Sequence, residues 1–106
     1  MVKAIDVSCI IVSYNTKKLL KRCLDSIEKG FAGSDASREI IVVDNNSTDG
    51  SADLVARDYP DVRLIVNDEN AGFGKANNQG IEVAQGKYIL LINSDCTAED
   101  GSIGRL

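Results

Sequence analysis

The chain has 106 residues, 43% hydrophobic and 26% charged, with a net charge of −4 and no histidine. That length supports one small domain around one core. The acidic balance leaves no basic patch for binding nucleic acid through its phosphates, and no apolar run approaches the roughly 20 residues that cross a bilayer. Cys9, Cys23 and Cys96 are odd in number and show no paired ligand spacing. A structural zinc site is therefore excluded, and a reducing, cytoplasmic setting is expected.

In chain order, Val7–Tyr14 ("VSCIIVSY") is apolar and rich in β-branched residues, the pattern of a buried strand. Asn15-Thr16 offers a helix cap, and Leu19, Leu20, Cys23, Leu24 and Ile27 form a stripe at helical spacing up to Gly30. Cys9 and Cys23 read as small core residues. "GFAGSDASR" is a loop, and Glu39–Asp44 ("EIIVVD") is a second buried strand. Ala52, Val55, Ala56 and Tyr59 predict a second helix, closed by Pro60. Val62–Val66 is a weaker third strand. Phe73, Ala76, Gly80, Val83 and Ala84 predict a third helix stopped by Gly86, and Lys87–Asn93 is a fourth strand whose apolar run, Tyr88–Ile92, implies burial. "TAEDGSIGRL" reads as a loop entering a helix, with Glu99 and Asp100 as first-turn acids. The order βαβαβαβ predicts an α/β fold: a mostly parallel sheet with helices on both faces and right-handed crossovers.

Ligands of open parallel sheets bind at the carboxyl ends of the strands. Those ends carry Ser13, Tyr14 and Asn15; Asp44, Asn45 and Asn46; Asn67, Asp68, Glu69 and Asn70; and Asn93, Ser94 and Asp95. Polar residues at such tips also cap and turn the chain, yet here two carboxylates close apolar strands. Three look-alike motifs fail. "DNNSTDGS" has Asn45, Ser47, Asp49 and Gly50 at calcium-loop positions, but Ala56 stands where the twelfth-position Glu belongs. "GFGKANNQG" lacks the hydroxyl residue after Lys75 of a P-loop, and lacks the third glycine of a dinucleotide fingerprint. It still offers small residues and a cation at a helix start, where an anion can bind. Ser13 has no histidine to activate it, which removes a hydrolase triad.

"CIIVSYN", "IIVVDNNSTDGS", "NAGFGKANNQG" and "LLINSDC" stand in an order and spacing that resemble family 2 glycosyltransferases of the GT-A fold, closest to bacterial rhamnosyltransferase-like members, over about Val7 to Leu106. The resemblance implies a Rossmann-like nucleotide-diphospho-sugar transferase fold. Residues 1–106 would be its donor-binding half, with the domain continuing beyond. It implies that Val12, Ser13 and Tyr14 line the nucleobase pocket, that Asp44 accepts hydrogen bonds from base or ribose, and that Asn15 and Asn46 also bind the nucleotide sugar. Gly74, Lys75 and Asn78 would lie along the nucleotide. Asn93, Ser94 and Asp95 stand for the family's DxD motif, with Asp95 on a divalent Mg²⁺ or Mn²⁺ that bridges two phosphates. The first DxD position is Asn93 here, which supplies no anionic ligand.

The implied reaction moves a sugar from a UDP- or dTDP-linked donor to an acceptor hydroxyl with inversion, the acceptor being a glycan or lipid-linked glycan of a cell-surface polysaccharide. A general base is expected beyond Leu106, so this segment alone is expected to transfer no sugar. A lipid-linked acceptor would place the full-length protein at the inner face of the membrane. Two other readings compete: a sugar-phosphate nucleotidyltransferase, disfavoured because "SYNTKKLL" has no glycine after the first strand, and a non-catalytic nucleotide-binding module.

Overall fold

A computed structural model describes residues 4–97 and 101. The elements are β1 (Ile5–Ser13), α1 (Lys17–Gly30), β2 (Arg38–Asp44), α2 (Ser51–Asp58), β3 (Arg63–Val66), α3 (Phe73–Val83) and β4 (Gly86–Asn93). The strands form one parallel sheet in the order β3-β2-β1-β4. The chain steps outward from β1 to β3, then crosses to the other side of β1 for β4. The order therefore reverses between β1 and β4, the topological switch point where open α/β sheets bind ligands.

Alternation along β1 and β2 divides the core in two. Cys9, Ile11 and Val42 pack with Leu20, Cys23, Leu24 and Ile27 of α1 and Val55 of α2. Ile10, Val12, Ile41 and Val43 pack with Ala76 of α3. Helices thus cover both faces, as the alternating pattern predicted. Burying each of Ile10, Ile11 and Ile41 completely contributes about 1.5–3 kcal/mol. Close approach makes two glycines obligatory. A Cβ on Gly80 would sit 2.6 Å from Ile10 Cγ2, and one on Gly86 would sit 2.5 Å from Ser8 Oγ. Gly86 therefore opens β4 against β1, and α3 has already ended at Val83.

Four expectations need correction. The run Tyr88–Ile92 is not a buried strand: among the described residues β4 pairs with β1 alone, and Tyr88, Ile89 and Leu91 are 65%, 45% and 51% exposed. Only Leu90 and Ile92 lean on the α1-side core, because α3 sits over β1 and β2. An apolar run reports a demand for cover on both faces, and not whether the described residues supply it. The buried face of α2 is Ser51, Leu54 and Val55, with Ala56 exposed, so the stripe lies a residue away from the expected one. Phe73 points out at 59% exposure. Finally, Phe31 lies in the expected loop yet is core, its ring covered by the Arg38 guanidinium at 4.5 Å. The "TAEDGSIGRL" reading, with Glu99 and Asp100, falls almost wholly outside the described residues. Among the described residues, no helix is long and apolar enough to cross a membrane.

Candidate active site

Register brings the strand tips to one level: Asn93 pairs with Val12, Ser13 with Asp44, and Asp44 with Val66. All the polar ends therefore share one rim. Their side chains have different fates.

On the β1–β2 side the polar groups bind one another. Asp44 is 1% exposed, and its carboxylate accepts from the Ser47 backbone N–H at 2.9 Å and the Ser47 hydroxyl at 2.6 Å. Asn15, at φ 52°, accepts the Thr48 N–H on its Oδ1 at 2.8 Å, while its own N–H donates to Ser47 Oγ at 2.9 Å. Asp49 accepts from the Ser51 N–H and hydroxyl at the start of α2, and from the Lys17 N–H at the start of α1. Partial desolvation opposes ionisation of Asp49, but the bonds from Ser51 and Lys17 prevail and hold its carboxyl below the ordinary range. Asp49 thereby caps α1 from the neighbouring loop. This corrects the expectation of a side-chain cap from Asn15-Thr16: neither caps α1 through its side chain.

Between β2 and α3 an amide cluster fixes the next loop. Asn45, 2% exposed, accepts from Asn67 Nδ2 at 2.9 Å and the Ala71 N–H at 3.2 Å, and donates to the Gly72 carbonyl at 3.2 Å. Asn67 and Gln79 exchange two further bonds at 2.8 and 2.9 Å. These contacts set where α3 begins, and so where Phe73 projects.

At the switch point lies an open cleft of about 430 Å³. Val12 and Asn45 lie beneath it. Tyr14, Leu19 and Phe73 present apolar surface, and Asn93, Ser94 and Asp95 form the far wall. Tyr14, Leu19 and Phe73 are 48%, 39% and 59% exposed, three of the eight exposed large apolar residues among those described. Among the described residues, Asp95 is the only charged one lining the cleft. Its carboxylate is exposed, and its described contact is the Cys96 thiol at 3.8 Å. The Ser94 hydroxyl accepts from Thr16 Oγ1 at 3.1 Å, and Thr16 Oγ1 lies 3.0 Å from Ser13 Oγ. Cys23 donates to the Asn93 carbonyl at 3.8 Å. Burial above all, with nearby Cys96, Cys9 and Asp95, pushes the Cys23 thiol up to about 11.

The cleft thus brings together Val12, Tyr14, Asn93, Ser94 and Asp95. Ser13 and Asp44 are buried below the rim. Asn15 faces a neighbouring shallow groove beside α1, and Asn46 sits on an exposed turn at φ 70°. Lys75 and Asn78 line a separate groove of about 440 Å³ together with Asp68, Glu69 and Glu82, and Gly74 opens to free space. Thr16, Leu19 and Phe73 were not among the expected site residues. Phe73 was legible in principle, because an aromatic side chain between two glycines at a helix start has few core neighbours.

As a metal position the turn offers one carboxylate, and among the described residues no group of three or more His, Cys, Asp or Glu side chains gathers to hold an ion. That donor set fits Mg²⁺ or Mn²⁺, hard ions that keep waters and complete their shells with phosphate oxygens. It does not fit zinc, which takes a closed shell of protein ligands in structural sites.

A four-stranded parallel sheet with a polar cleft at its switch point is the open α/β class of domain. The profile described as "Glycosyl transferase family 2" matches residues 8–106, and the chain belongs to that family. The SPbeta prophage-derived glycosyltransferase SunS of Bacillus subtilis (strain 168) is 36% identical over 89 residues, 84% of this chain and 20% of that protein. Among solved structures, S. aureus TarS 1-349 in complex with UDP-GlcNAc superposes with a TM-score of 0.71 at 30% identity, over 86% of this chain and 27% of TarS 1-349. The mannosyltransferase PcManGT from Pyrobaculum calidifontis, in complex with GDP-Man and Mn²⁺, gives 0.70 at 29% identity, over 88% of this chain and 28% of that one. The fold is accordingly that of the GT-A nucleotide-sugar transferases. The chain spans less than a third of the length of each of these relatives.

Proposed function

We propose that this chain forms the donor-binding part of an inverting, cation-assisted glycosyltransferase that uses a UDP- or dTDP-linked sugar. The observation that carries the reading is Asp95: an exposed carboxylate on the turn after β4, at the switch point, in a cleft where no other described lining residue is charged. Among the described lining residues, a diphosphate brought into that cleft meets negative charge alone. Asp95 would hold a divalent cation there, which would offset the repulsion and supply Lewis-acid stabilisation of charge on the departing nucleoside diphosphate. Asn93 and Ser94 contribute neutral oxygens and hydrogen bonds beside it. Tyr14, Leu19 and Phe73 offer apolar surface against which a base or a sugar face can rest and exclude water.

The bound UDP-GlcNAc of TarS 1-349 and the GDP-Man and Mn²⁺ of PcManGT support a nucleotide-sugar donor and a cation. The general base for the acceptor hydroxyl, and the contacts to a glycan or lipid-linked acceptor, are proposed to lie beyond Leu106. In the full-length protein, UDP, dTDP and GDP should be titrated with and without Mn²⁺, alongside transfer and donor hydrolysis with the matching sugars. Binding that requires the ion and disappears in Asp95→Ala supports the proposal. Equal binding without the ion, or an unaffected Asp95→Ala protein, overturns it.

A further inference from the structure

We propose that Thr16 is a positioning residue for the donor site: acting through Ser94, it holds the turn that carries Asp95 and aims the Ser94 hydroxyl proton at the diphosphate. The inference rests on the reading of the cleft given above. Thr16 has a single hydroxyl proton, and it donates to Ser94 Oγ at 3.1 Å. The 3.0 Å contact with Ser13 Oγ can then be made only with Ser13 as donor. The relay therefore runs from Ser13 to Thr16 to Ser94, and the Ser94 proton is left for a further acceptor. Among the described residues, no protein group accepts from Ser94, and its side chain borders the cleft beside Asp95. Aligned hydroxyls polarise one another, which makes the last O–H the better donor to a phosphate oxygen.

Two further observations point the same way. A residue at the Thr16 position normally spends its side-chain oxygen on the first turn of its own helix. Here Asp49 has taken that task at Lys17, and the Thr16 hydroxyl is released to the site. The anchorage of the turn is also sparse. Beyond the strand ladder, the described side-chain bonds that tie Asn93–Cys96 to the rest of the domain are Thr16 to Ser94 and the longer Cys23 thiol contact at 3.8 Å. At its other end the relay starts from Ser13, fully buried at the tip of β1. The turn is thus referenced to β1, a strand paired on both sides.

The test uses the full-length protein, with whichever of UDP, dTDP or GDP binds the wild type most tightly in Mn²⁺. Thr16→Val keeps the shape and removes the hydroxyl. It is expected to weaken the nucleoside diphosphate about tenfold, to leave the corresponding phosphate-free nucleoside unaffected, and to raise the free Mn²⁺ seen by electron paramagnetic resonance in the ternary mixture. Thr16→Ser should bind as the wild type does. On a Ser94→Ala background, Thr16→Val should add little, because the relay has already lost its end. If Thr16→Val does not fold, Thr16→Ala takes its place. Wild-type diphosphate affinity in Thr16→Val, loss in Thr16→Ser equal to that in Thr16→Val, or a full tenfold cost on the Ser94→Ala background would each overturn the inference while leaving the cleft assignment standing. A wild-type protein that binds none of the three with manganese takes down both.

Discussion

Asp44 and Asp95 both close apolar strands on the same rim, and the two carboxylates are used in opposite ways. Asp44 sits between elements that are both present, under loops that interlock. Ser47 satisfies both of its oxygens, and almost none of it meets solvent. Asp95 stands past the end of an edge strand, exposed, with a weak thiol contact for company. A buried carboxylate must be paired, and the β2 tip obeys by turning Asp44 inward to hold its loop. An exposed one keeps its lone pairs for a ligand. The difference shows that the packing of neighbouring loops decides whether an acidic strand tip is spent inside the fold or left open to solvent.

That contrast can be broken from either side. The largest effect is expected from Asp95→Ala in the full-length protein: on the proposed transfer reaction, a fall in kcat/KM of roughly 100-fold or more, about 2.7 kcal/mol, with little change in melting temperature. Steady-state kinetics and calorimetry on the same preparation check it. Asp44→Ala should behave in the opposite sense. It strands the Ser47 N–H and hydroxyl and should destabilise the domain by about 2–3 kcal/mol, read from urea unfolding; an unchanged midpoint would mean that Asp44 is not the internal cap described here. Asn15→Ala should cost about 1 kcal/mol, since Asn15 is exposed and loses the Thr48 bond together with a residue type that tolerates its positive φ.

The smallest effect concerns the cysteines. Burial above all pushes the Cys9 and Cys23 thiols up to about 11 from 9.0, whereas Cys96 is exposed. Cys96 should therefore alkylate first at pH 8, and the other two only on unfolding. The unfolded chain releases those protons near 9.0 and the folded one near 11, so the folded state binds more protons between the two values. Stability then falls as pH rises through that window. Replacing Cys9 and Cys23 with Ala should flatten the fall, measured as melting temperature against pH.

Much of the fold could be read along the chain. Strand and helix order, the parallel sheet and the polar rim all follow from periodicity and from β-branched runs, which are local signals. The burial of Cys9 and Cys23 was legible for the same reason. Contacts between distant segments were not. Asp49 caps a helix that begins 32 residues earlier, Asn45 holds a loop 26 residues later, and Ser94 meets Thr16 across 78. No spacing rule anticipates such pairs.

The amino-acid order by itself determined that apolar strands end in Asn, Ser and Asp, and that those ends share one level, because a parallel βα alternation leaves every strand pointing the same way. Tertiary structure alone decided which of those ends is available. It set Lys75 and Asn78 in a different groove from Asp95, turned Asp44 inward, left β4 at an edge among the described residues and freed the Thr16 hydroxyl. Availability depends on which neighbours satisfy each polar group, and those neighbours are supplied by packing across the sheet.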